Sequence, residues 1–206
     1  SIGSKYKSRP TGSLGRLSCF SSHPLKNLNA CGDGGFLTTD DFSIAEKVKL
    51  LRNHGLENRS SVVEFGYVSR MDAVQAAILV YRLERLPTVI RQRRANARIY
   101  QETLEKKNVF FCQEDSSKIN TYHTFVIQIH DRDRAKEYLR LRGIETAIHY
   151  PIPIHLQPAA KDLGYNKGDF PQTERQAEQI LTLPINQYVS SEQTCYVAET
   201  LNNYFA

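Results

Sequence analysis

The chain has 206 residues, a net charge of +5, 40% hydrophobic and 24% charged residues, a profile typical of a soluble globular protein. It contains no run of about 18 apolar residues, so we predict no membrane span. Its basic residues are spread along predicted helices, and a cluster at 91–94 is interpreted as a solvated helix face. No nucleic-acid-binding motif accompanies them. We therefore expect neither a membrane nor nucleic acid as a partner, and the mild positive charge suits an anionic ligand.

The sequence contains four cysteines, at Cys19, Cys31, Cys112 and Cys195. None is in C-x-x-C spacing, and three have apolar neighbours. We expect reduced, buried thiols in a cytoplasmic protein rather than a disulfide framework or a zinc site. His149 and His155 flank a proline-rich turn, but a pair alone is a weak metal signal, and we predict no metal site.

The beginning of the chain predicts two short strands around a polar turn. Residues 8–15 are rich in Gly, Ser, Pro and Thr and indicate a loop. Apolar runs at 17–21 and 36–39 indicate strands. Between them, Pro24 forces a turn that contains Lys26.

Helices are predicted next. Residues 43–53 have apolar residues at helical spacing. Ser43 is the predicted N-cap, and Glu46 completes a capping box. A second helix is predicted at 71–86. Pro87 is interpreted as a break or as the first residue of a third helix, which ends near residue 106.

The character of the sequence changes at about residue 87, beyond which it indicates a compact α+β unit. Strands are predicted at 109–113, 123–130 and 145–150, and helices at 131–142, 173–181 and 190–205. Ser190 and Gln193 form a capping-box pattern for the last helix. Two prolines exclude regular structure at 150–155.

Lys26 is the first residue that could carry chemistry. It follows a strand and a proline turn, where partial burial would disfavour its ammonium form. A neutral amine is what Schiff-base formation requires. The alternative is an ordinary surface lysine in a turn, and the residue chemistry alone leaves both interpretations open.

Ser21 and Ser22 lie beside this lysine. Their hydroxyls and the turn N–H groups suit a phosphate, although ordinary serine turn chemistry explains them equally well. Gly32–Gly35 has neither P-loop nor Rossmann spacing. We interpret these glycines as a tight turn that positions Lys26 and the following strand.

Several short motifs resemble those of one protein family when they are taken in chain order. Residues 19–28, followed by 32–35, resemble the lysine motif of the DegT/StrS family of sugar aminotransferases. Further segments resemble the next markers of that family, in the same order: 51–55, 66–72 with 75–77, 149–158, 170–175 and 181–184. Each motif is weak alone, but their order across nearly the whole chain is specific.

The resemblance implies an α/β fold of the fold-type-I, aspartate-aminotransferase-like class. Residues 1–86 would be the remainder of the cofactor-binding large domain, whose N-terminal part is missing, and 87–206 a small α+β domain. The implied cofactor is pyridoxal 5'-phosphate. Lys26 would hold it as a Schiff base and act as general base in the proton shift. Ser21 matches the phosphate-contacting serine of the family, and Asn27 would shape the loop beside the cofactor.

Two departures from the family pattern matter. Family members commonly have Asn at the position of Val68, where it contacts the cofactor phosphate of a neighbouring subunit. Because Val68 cannot donate a hydrogen bond, that contact is either lost or supplied by another residue such as Ser69 or Arg70. The family is also longer at its N-terminus, where an aspartate pairs with the pyridine nitrogen. Without that carboxylate the ring is a poor electron sink, so we expect a fragment that exposes apolar surface and does not catalyse alone.

The resemblance also implies a reaction and its partners. Glutamate is the expected amino donor, a keto-sugar nucleotide the acceptor, and a cytoplasmic homodimer the assembly. Relatives that dehydrate the sugar replace the lysine with histidine, so Lys26 favours transamination. Residues expected to contact the substrate are His23, His54, Tyr150, His155 and Gln157.

Alternative functions remain open at this point. The candidate histidines, Tyr150 and Gln157 are equally compatible with structural roles. The chain could be a non-catalytic module that folds, dimerises or pairs with a missing N-terminal half. It could also belong to an enzyme of a cyclitol or an aromatic precursor, although such relatives tend to carry Glu in place of Asp33.

Overall fold

The computed structural model describes residues 2–206, which form two compact units. Unit 1 comprises the described residues up to Arg91 together with Glu114–Thr121, and unit 2 comprises Gln92–Gln113 and Tyr122–Ala206. The assignment of residues 1–86 and 87–206 to a large-domain remainder and a small domain stays a prediction.

Unit 1 is built on two small antiparallel sheets. Its elements are β1 (Lys5–Tyr6), β2 (Arg9–Pro10), β3 (Ser18–Ser21), β4 (Gly35–Thr38), α1 (Phe42–Leu51), the first part of α2 (Ala73–Thr103) and β5 (Lys118–Ile119). One sheet has the order β2-β1-β5, and the other pairs β3 with β4. The strands predicted at 17–21 and 36–39 are confirmed. Because Ser21 pairs with Gly35, the intervening segment leaves and returns at one edge of the sheet.

Two helix predictions in this region are wrong in detail. The N-cap of α1 is Asp41, not Ser43, because the Asp41 carboxylate accepts from the backbone N–H groups of Ser43 and Ile44. Hydrogen bonds from the Ser43 hydroxyl, and then from Arg16, lower the pKa of Asp41 to about 2. Pro87 does not separate two helices, since α2 continues through it. Leu86, next to the proline, is buried in the unit 1 core, and this packing opposes the break that a proline favours.

Unit 2 contains β6 (Phe125–Gln128) and β7 (Ile180–Leu183), paired antiparallel, with helices against them. The helices are α3 (Arg132–Arg140), α4 (Pro171–Gln179) and α5 (Ser191–Tyr204), and two 3-10 helices span Ile154–Leu156 and Pro158–Leu163. The core is apolar and fully enclosed, with Ile127, Leu139, Leu181 and Leu201 at 0% exposure. The predicted capping box of Ser190 and Gln193 is confirmed.

Several predictions for unit 2 need correction. The strands expected at 109–113 and 145–150 are reduced to isolated bridges at Phe110 and Ala147. The helix expected at 173–181 starts earlier, and Ile180–Leu183 is a strand instead. The 3-10 helix that begins at Ile154 lies partly within the segment expected to be irregular. The bridge at Phe110 and the strand at Ile180–Leu183 both pair with β6, a partner distant in sequence.

The cluster at 91–94 is not a uniformly solvated face. Arg93 is 6% exposed. Its guanidinium donates to the carbonyls of Tyr122 and His123, both at 3.1 Å, and to Gln187 Oε1. Burial lowers the pKa of Arg93. This arginine therefore joins α2 to two loops of unit 2.

The expectation of buried cysteines is also wrong. Cys19, Cys31 and Cys112 are exposed, and Cys195 is half-buried. In β3, side chains alternate between faces, and Cys19 shares its exposed face with Ser21. Apolar neighbours in sequence therefore do not place a residue in the core.

Among residues 2–206, no helix is both long and apolar enough to cross a bilayer.

Candidate functional site

Lys26 lies in the loop that joins β3 to β4, hereafter the lysine loop (residues 22–34). Backbone hydrogen bonds close its base, from Ser22 N to Gly34 O at 2.9 Å and from Ala30 N to Ser22 O at 2.8 Å. A turn from Lys26 N to His23 O, at 2.8 Å, fixes the position of the lysine. The Lys26 side chain is half-buried. The loop thus presents one lysine on a backbone held at both ends.

His23 and Ser21 shape the start of this loop. The Ser21 hydroxyl oxygen accepts from His23 N at 3.3 Å, and His23 Nδ1 accepts from Leu25 N at 3.2 Å. An imidazole whose Nδ1 accepts carries its proton on Nε2 when neutral. The Ser21 hydroxyl hydrogen is not used in its bond to His23, so Ser21 can still donate to an anion.

Asn27 anchors the other side of the lysine loop. Its Nδ2 donates to the carbonyl of Thr121 at 3.0 Å, and Thr121 is fully buried. Two buried atoms near Lys26, Asn27 Oδ1 and Ser22 Oγ, have no hydrogen-bond partner among the described residues. Buried polar atoms are ordinarily paired. The loop therefore has a buried hydroxyl before the lysine and a buried amide oxygen after it that are available to bind a ligand.

A glycine is required where the lysine loop meets β4. A Cβ on Gly35 would lie 2.7 Å from the carbonyl oxygen of Phe20. That distance is well inside van der Waals contact, so a larger residue would push the two strands apart. The interpretation of 32–35 as a tight turn beside Lys26 is consistent with this close approach.

Ser69, Val68 and His54 lie in a second segment, hereafter the return loop (residues 52–69), which folds back on the end of α1. Ser69 N donates to Arg52 O at 2.9 Å, and Arg52 Nε donates to Ser69 O at 3.1 Å. His54 N donates to Tyr67 O at 2.9 Å. All three candidate positions are exposed, and Val68 is 66% exposed. The return loop thus presents Val68 and Ser69 outward.

The two glycines of the return loop explain why its motifs occur together. Gly55 has a φ of +71°, and a Cβ there would lie 1.7 Å from the Glu64 carbonyl oxygen. A Cβ on Gly66 would lie 2.4 Å from Gly55 N and 2.6 Å from Leu51 O. Only glycine permits this approach, so the motifs at 51–55 and 66–72 form one structure.

A groove of about 910 Å³ runs along β3, β4 and α1. Ser69 and Arg52 line it together with Cys19, Phe20 and Met71. The structure therefore places Ser69 in a groove beside the sheet that bears the lysine loop. Ser21, Lys26 and Asn27 lie outside its lining.

In unit 2, His155 and Gln157 line a cavity of about 630 Å³. His155 is 7% exposed, and its Nε2 lies 3.0 Å from Glu174 Oε1. Its ring packs on Phe170 at 4.7 Å between centroids. Tyr150 is 71% exposed and is not part of this lining. The histidine is held by partners within the unit, while the tyrosine faces solvent.

Glu174 is a residue of this cavity region that the sequence reasoning did not single out. Its Oε1 also accepts from Gly168 N at 2.8 Å. The Gly168 N–H, and to a lesser extent the His155 ring, lower the pKa of the Glu174 carboxyl. The motif at 170–175 was the available signal, but it carried no assigned role.

No group of three or more His, Cys, Asp or Glu side chains within residues 2–206 is arranged to hold a metal ion.

The family of this chain follows from its similarity to known proteins. A family model described as the DegT/DnrJ/EryC1/StrS aminotransferase family matches residues 1–202. This chain belongs to that family. The family uses pyridoxal 5'-phosphate, the predicted cofactor, and the recognition of the family from its ordered motifs is confirmed.

Curated relatives in the family are longer than this chain. A "pleiotropic regulatory protein" of Geobacillus stearothermophilus is 36% identical over 99% of this chain and 56% of its own length. The dTDP-3-amino-3,4,6-trideoxy-alpha-D-glucose transaminase of Streptomyces venezuelae is 33% identical over 98% of this chain and 54% of its own length. The chain therefore spans about half the length of the curated relatives it matches.

The fold class is confirmed by solved structures of the family. The crystal structure of S. venezuelae DesV in complex with a ketimine intermediate matches with a TM-score of 0.94 at 33% identity, over 98% of this chain and 55% of DesV. A DegT/DnrJ/EryC1/StrS aminotransferase from Brucella abortus matches with a TM-score of 0.93 at 31% identity, over 99% of this chain and 55% of its own. This chain thus has the family fold over the part that it spans.

The residues of the lysine loop fit the family cofactor. Lys26 supplies an amine on a fixed turn, and Ser21 supplies a hydroxyl donor on the exposed face of β3. The buried Ser22 hydroxyl, which has no partner among the described residues, adds a second donor to the loop, whereas Asn27 Oδ1 can only accept. A phosphate-bearing aldehyde needs an amine and donors of this kind.

Proposed function

We propose that this chain supplies the cofactor-binding lysine of an aminotransferase that moves an amino group from an amino acid, glutamate by expectation, to a keto-sugar nucleotide. The observation that carries the proposal is Lys26, the one lysine of the lysine loop, held half-buried by backbone hydrogen bonds on both sides. The sugar-nucleotide transaminases among the relatives support the acceptor class. The proposed location is the cytoplasm.

Pyridoxal 5'-phosphate, when bound, supplies the electron sink for the reaction. Lys26 Nζ would hold the cofactor and, once the incoming amino acid has released its amine, would serve as the general base for the proton shift. The Ser21 hydroxyl donates to the phosphate, and Asn27 keeps the turn in place through Thr121. Ser69, exposed on the return loop, replaces the missing amide at Val68 as donor to an anionic group.

Substrate contacts are proposed for five residues: His23, His54, Tyr150, His155 and Gln157. His23 lies three residues before the lysine, with Nε2 directed away from its own turn bond. His54, Tyr150 and Gln157 offer exposed or cavity-lining polar groups. His155 would act through its hydrogen bond with Glu174, which fixes its ring at the wall of the cavity.

The decisive experiment is to add pyridoxal 5'-phosphate to the purified chain, follow the visible absorbance of a lysine adduct, and locate it by borohydride reduction and peptide mapping. We expect one adduct, at Lys26, that is lost in Lys26→Ala and retained in Lys5→Ala, a matched control in exposed β1. Random labelling of surface lysines, or the same spectrum in Lys26→Ala, would refute the proposal.

Association between copies is a second proposed property, because unit 1 exposes large apolar side chains. Phe65 is 97% exposed and Tyr67 73% exposed on the return loop, and Phe42 is 77% exposed at the start of α1. Such apolar surface marks an interaction site, and a homodimer is the proposed assembly. Sedimentation velocity should show a concentration-dependent larger species that Phe65→Ser weakens. A monomer at all concentrations would contradict it.

A further inference from the structure

The first part of α2 carries an interrupted apolar stripe. Gln75, Leu79, Arg82 and Leu86 follow the spacing of one helix face, i, i+4, i+7 and i+11. Leu79 and Leu86 are 8% and 6% exposed, as a core-facing stripe requires. Gln75 and Arg82 are half-buried polar residues on the same face. Packing alone would favour apolar residues at all four positions.

The apolar members of this stripe pack against the lysine loop. Leu79 and Leu86 form one buried cluster with Leu28 and Ala30, two and four residues after Lys26. This face of the helix therefore supports the limb of the loop that leads away from the lysine.

The two polar residues bind the backbone of that same limb. Arg82 Nη1 donates to the carbonyl of Asn29 at 2.7 Å and to that of Ala30 at 3.3 Å. Gln75 Oε1 accepts from the backbone N–H of Cys31 at 2.8 Å. Three consecutive backbone residues are thus held by side chains of one helix, in addition to the bond from Ala30 N to Ser22 O.

We propose that Gln75 and Arg82 are positioning residues that fix Lys26 for reaction by clamping residues 29–31 to α2. The proposal rests on the function proposed above for Lys26. The lysine is held on one side by the turn to His23 and on the other by this clamp. Releasing residues 29–31 removes the contacts that tie this limb of the loop to α2.

Apolar replacements distinguish positioning from simple packing. Leu at position 75 or Met at position 82 would extend the apolar stripe, so the helix face keeps its burial. The backbone groups of Asn29, Ala30 and Cys31 would lose their partners, which is costly only where water cannot replace them. The change therefore acts on the lysine loop rather than on the helix.

The experiment compares Gln75→Leu and Arg82→Met with the wild-type chain. A small acetylating reagent is added at fixed pH, and the rate at each lysine is read by peptide mass spectrometry. Lys47 and Lys49 on α1 serve as internal standards. Arg85→Met is the matched control, because Arg85 lies on the same helix but stacks on exposed Tyr81 at 3.6 Å instead of binding the loop.

We expect the rate at Lys26 to change severalfold in both variants relative to the standards. The affinity for pyridoxal 5'-phosphate should fall about tenfold, which is in the range for losing one or two hydrogen bonds. Gln75→Glu, which retains an acceptor for the Cys31 N–H, and Arg82→Lys, which retains a donor, should restore both values in large part. Arg85→Met should match the wild type.

Two results would overturn the clamp: an unchanged relative rate at Lys26 in both apolar variants, or an equal acceleration at Lys26, Lys47 and Lys49 together with a lower unfolding midpoint. The latter would mean general destabilisation. Failure of the proposed function is seen separately, as no adduct of pyridoxal 5'-phosphate at Lys26 in the wild-type chain. The acetylation rates test the clamp in either case.

Discussion

Gly55→Ala should destabilise unit 1 strongly and disorder the return loop. Gly55 has a φ of +71°, and the added Cβ would lie 1.7 Å from Glu64 O and 2.7 Å from Glu64 C. A left-handed conformation costs a non-glycine residue about 1–2 kcal/mol. Relieving an overlap with backbone costs a further ~1–3 kcal/mol. The expected loss in the free energy of unfolding is therefore roughly 2–5 kcal/mol.

Gly143→Ala is the matched control for this prediction. Gly143 has a φ of +74°, and nothing lies within 4 Å of its added Cβ. Gly143→Ala therefore has the conformational cost of about 1–2 kcal/mol but no overlap with backbone atoms. The difference between the two variants therefore isolates the approach of the Glu64 carbonyl.

Chemical denaturation followed by circular dichroism measures the global effect, and hydrogen exchange of residues 52–69 measures the local one. In Gly55→Ala the amides of Val63, Tyr67 and Ser69, which bond within the return loop or to α1, should lose protection. Equal losses of stability in Gly55→Ala and Gly143→Ala, with unchanged exchange at these amides, would refute the reasoning.

Three further predictions concern unit 2. Tyr100→Phe removes a fully buried hydroxyl that donates to a backbone carbonyl at 2.7 Å, and should lower the free energy of unfolding by about 1–2 kcal/mol in denaturant titrations. Leu139→Ala, at a fully buried core position, should cost about 2–5 kcal/mol by the same assay. Glu174 has a lowered pKa, chiefly through the Gly168 N–H, so its stabilisation is present above pH 4.5 and is lost as pH falls through the folded-state value. Glu174→Gln should therefore remove part of the acid-induced loss of stability, as measured by thermal unfolding between pH 6 and about 3, and an unchanged pH profile would count against this role of the Glu174 carboxylate.

The position of Lys26 in a loop between two strands could be predicted from the sequence because its determinants are local. Apolar runs on either side of a proline turn place Lys26 between two strands, and the ordered motifs identify the family. The capping box of Ser190 and Gln193 is also local, since both partners lie within one turn of the helix.

Features that depend on distant partners could not be predicted in this way. The strand at Ile180–Leu183 forms because β6 offers it a ladder, although its first two residues belong to the predicted helix. The continuity of α2 through Pro87 depends on packing against the lysine loop. The exposure of Cys19 depends on which face of β3 the sheet leaves uncovered.

The candidate site also combines features that are determined locally with features that depend on distant partners. The sequence by itself determined which residues are candidates for the proposed chemistry, since an amine at Lys26 and a hydroxyl at Ser21 are fixed by residue type and by their place beside a proline turn. Only the tertiary structure decided what holds them, because Gln75 and Arg82 reach the lysine loop across many intervening residues. Hydrogen bonds from side chains to a distant backbone leave no periodic trace in a sequence, whereas turns, caps and apolar spacing do.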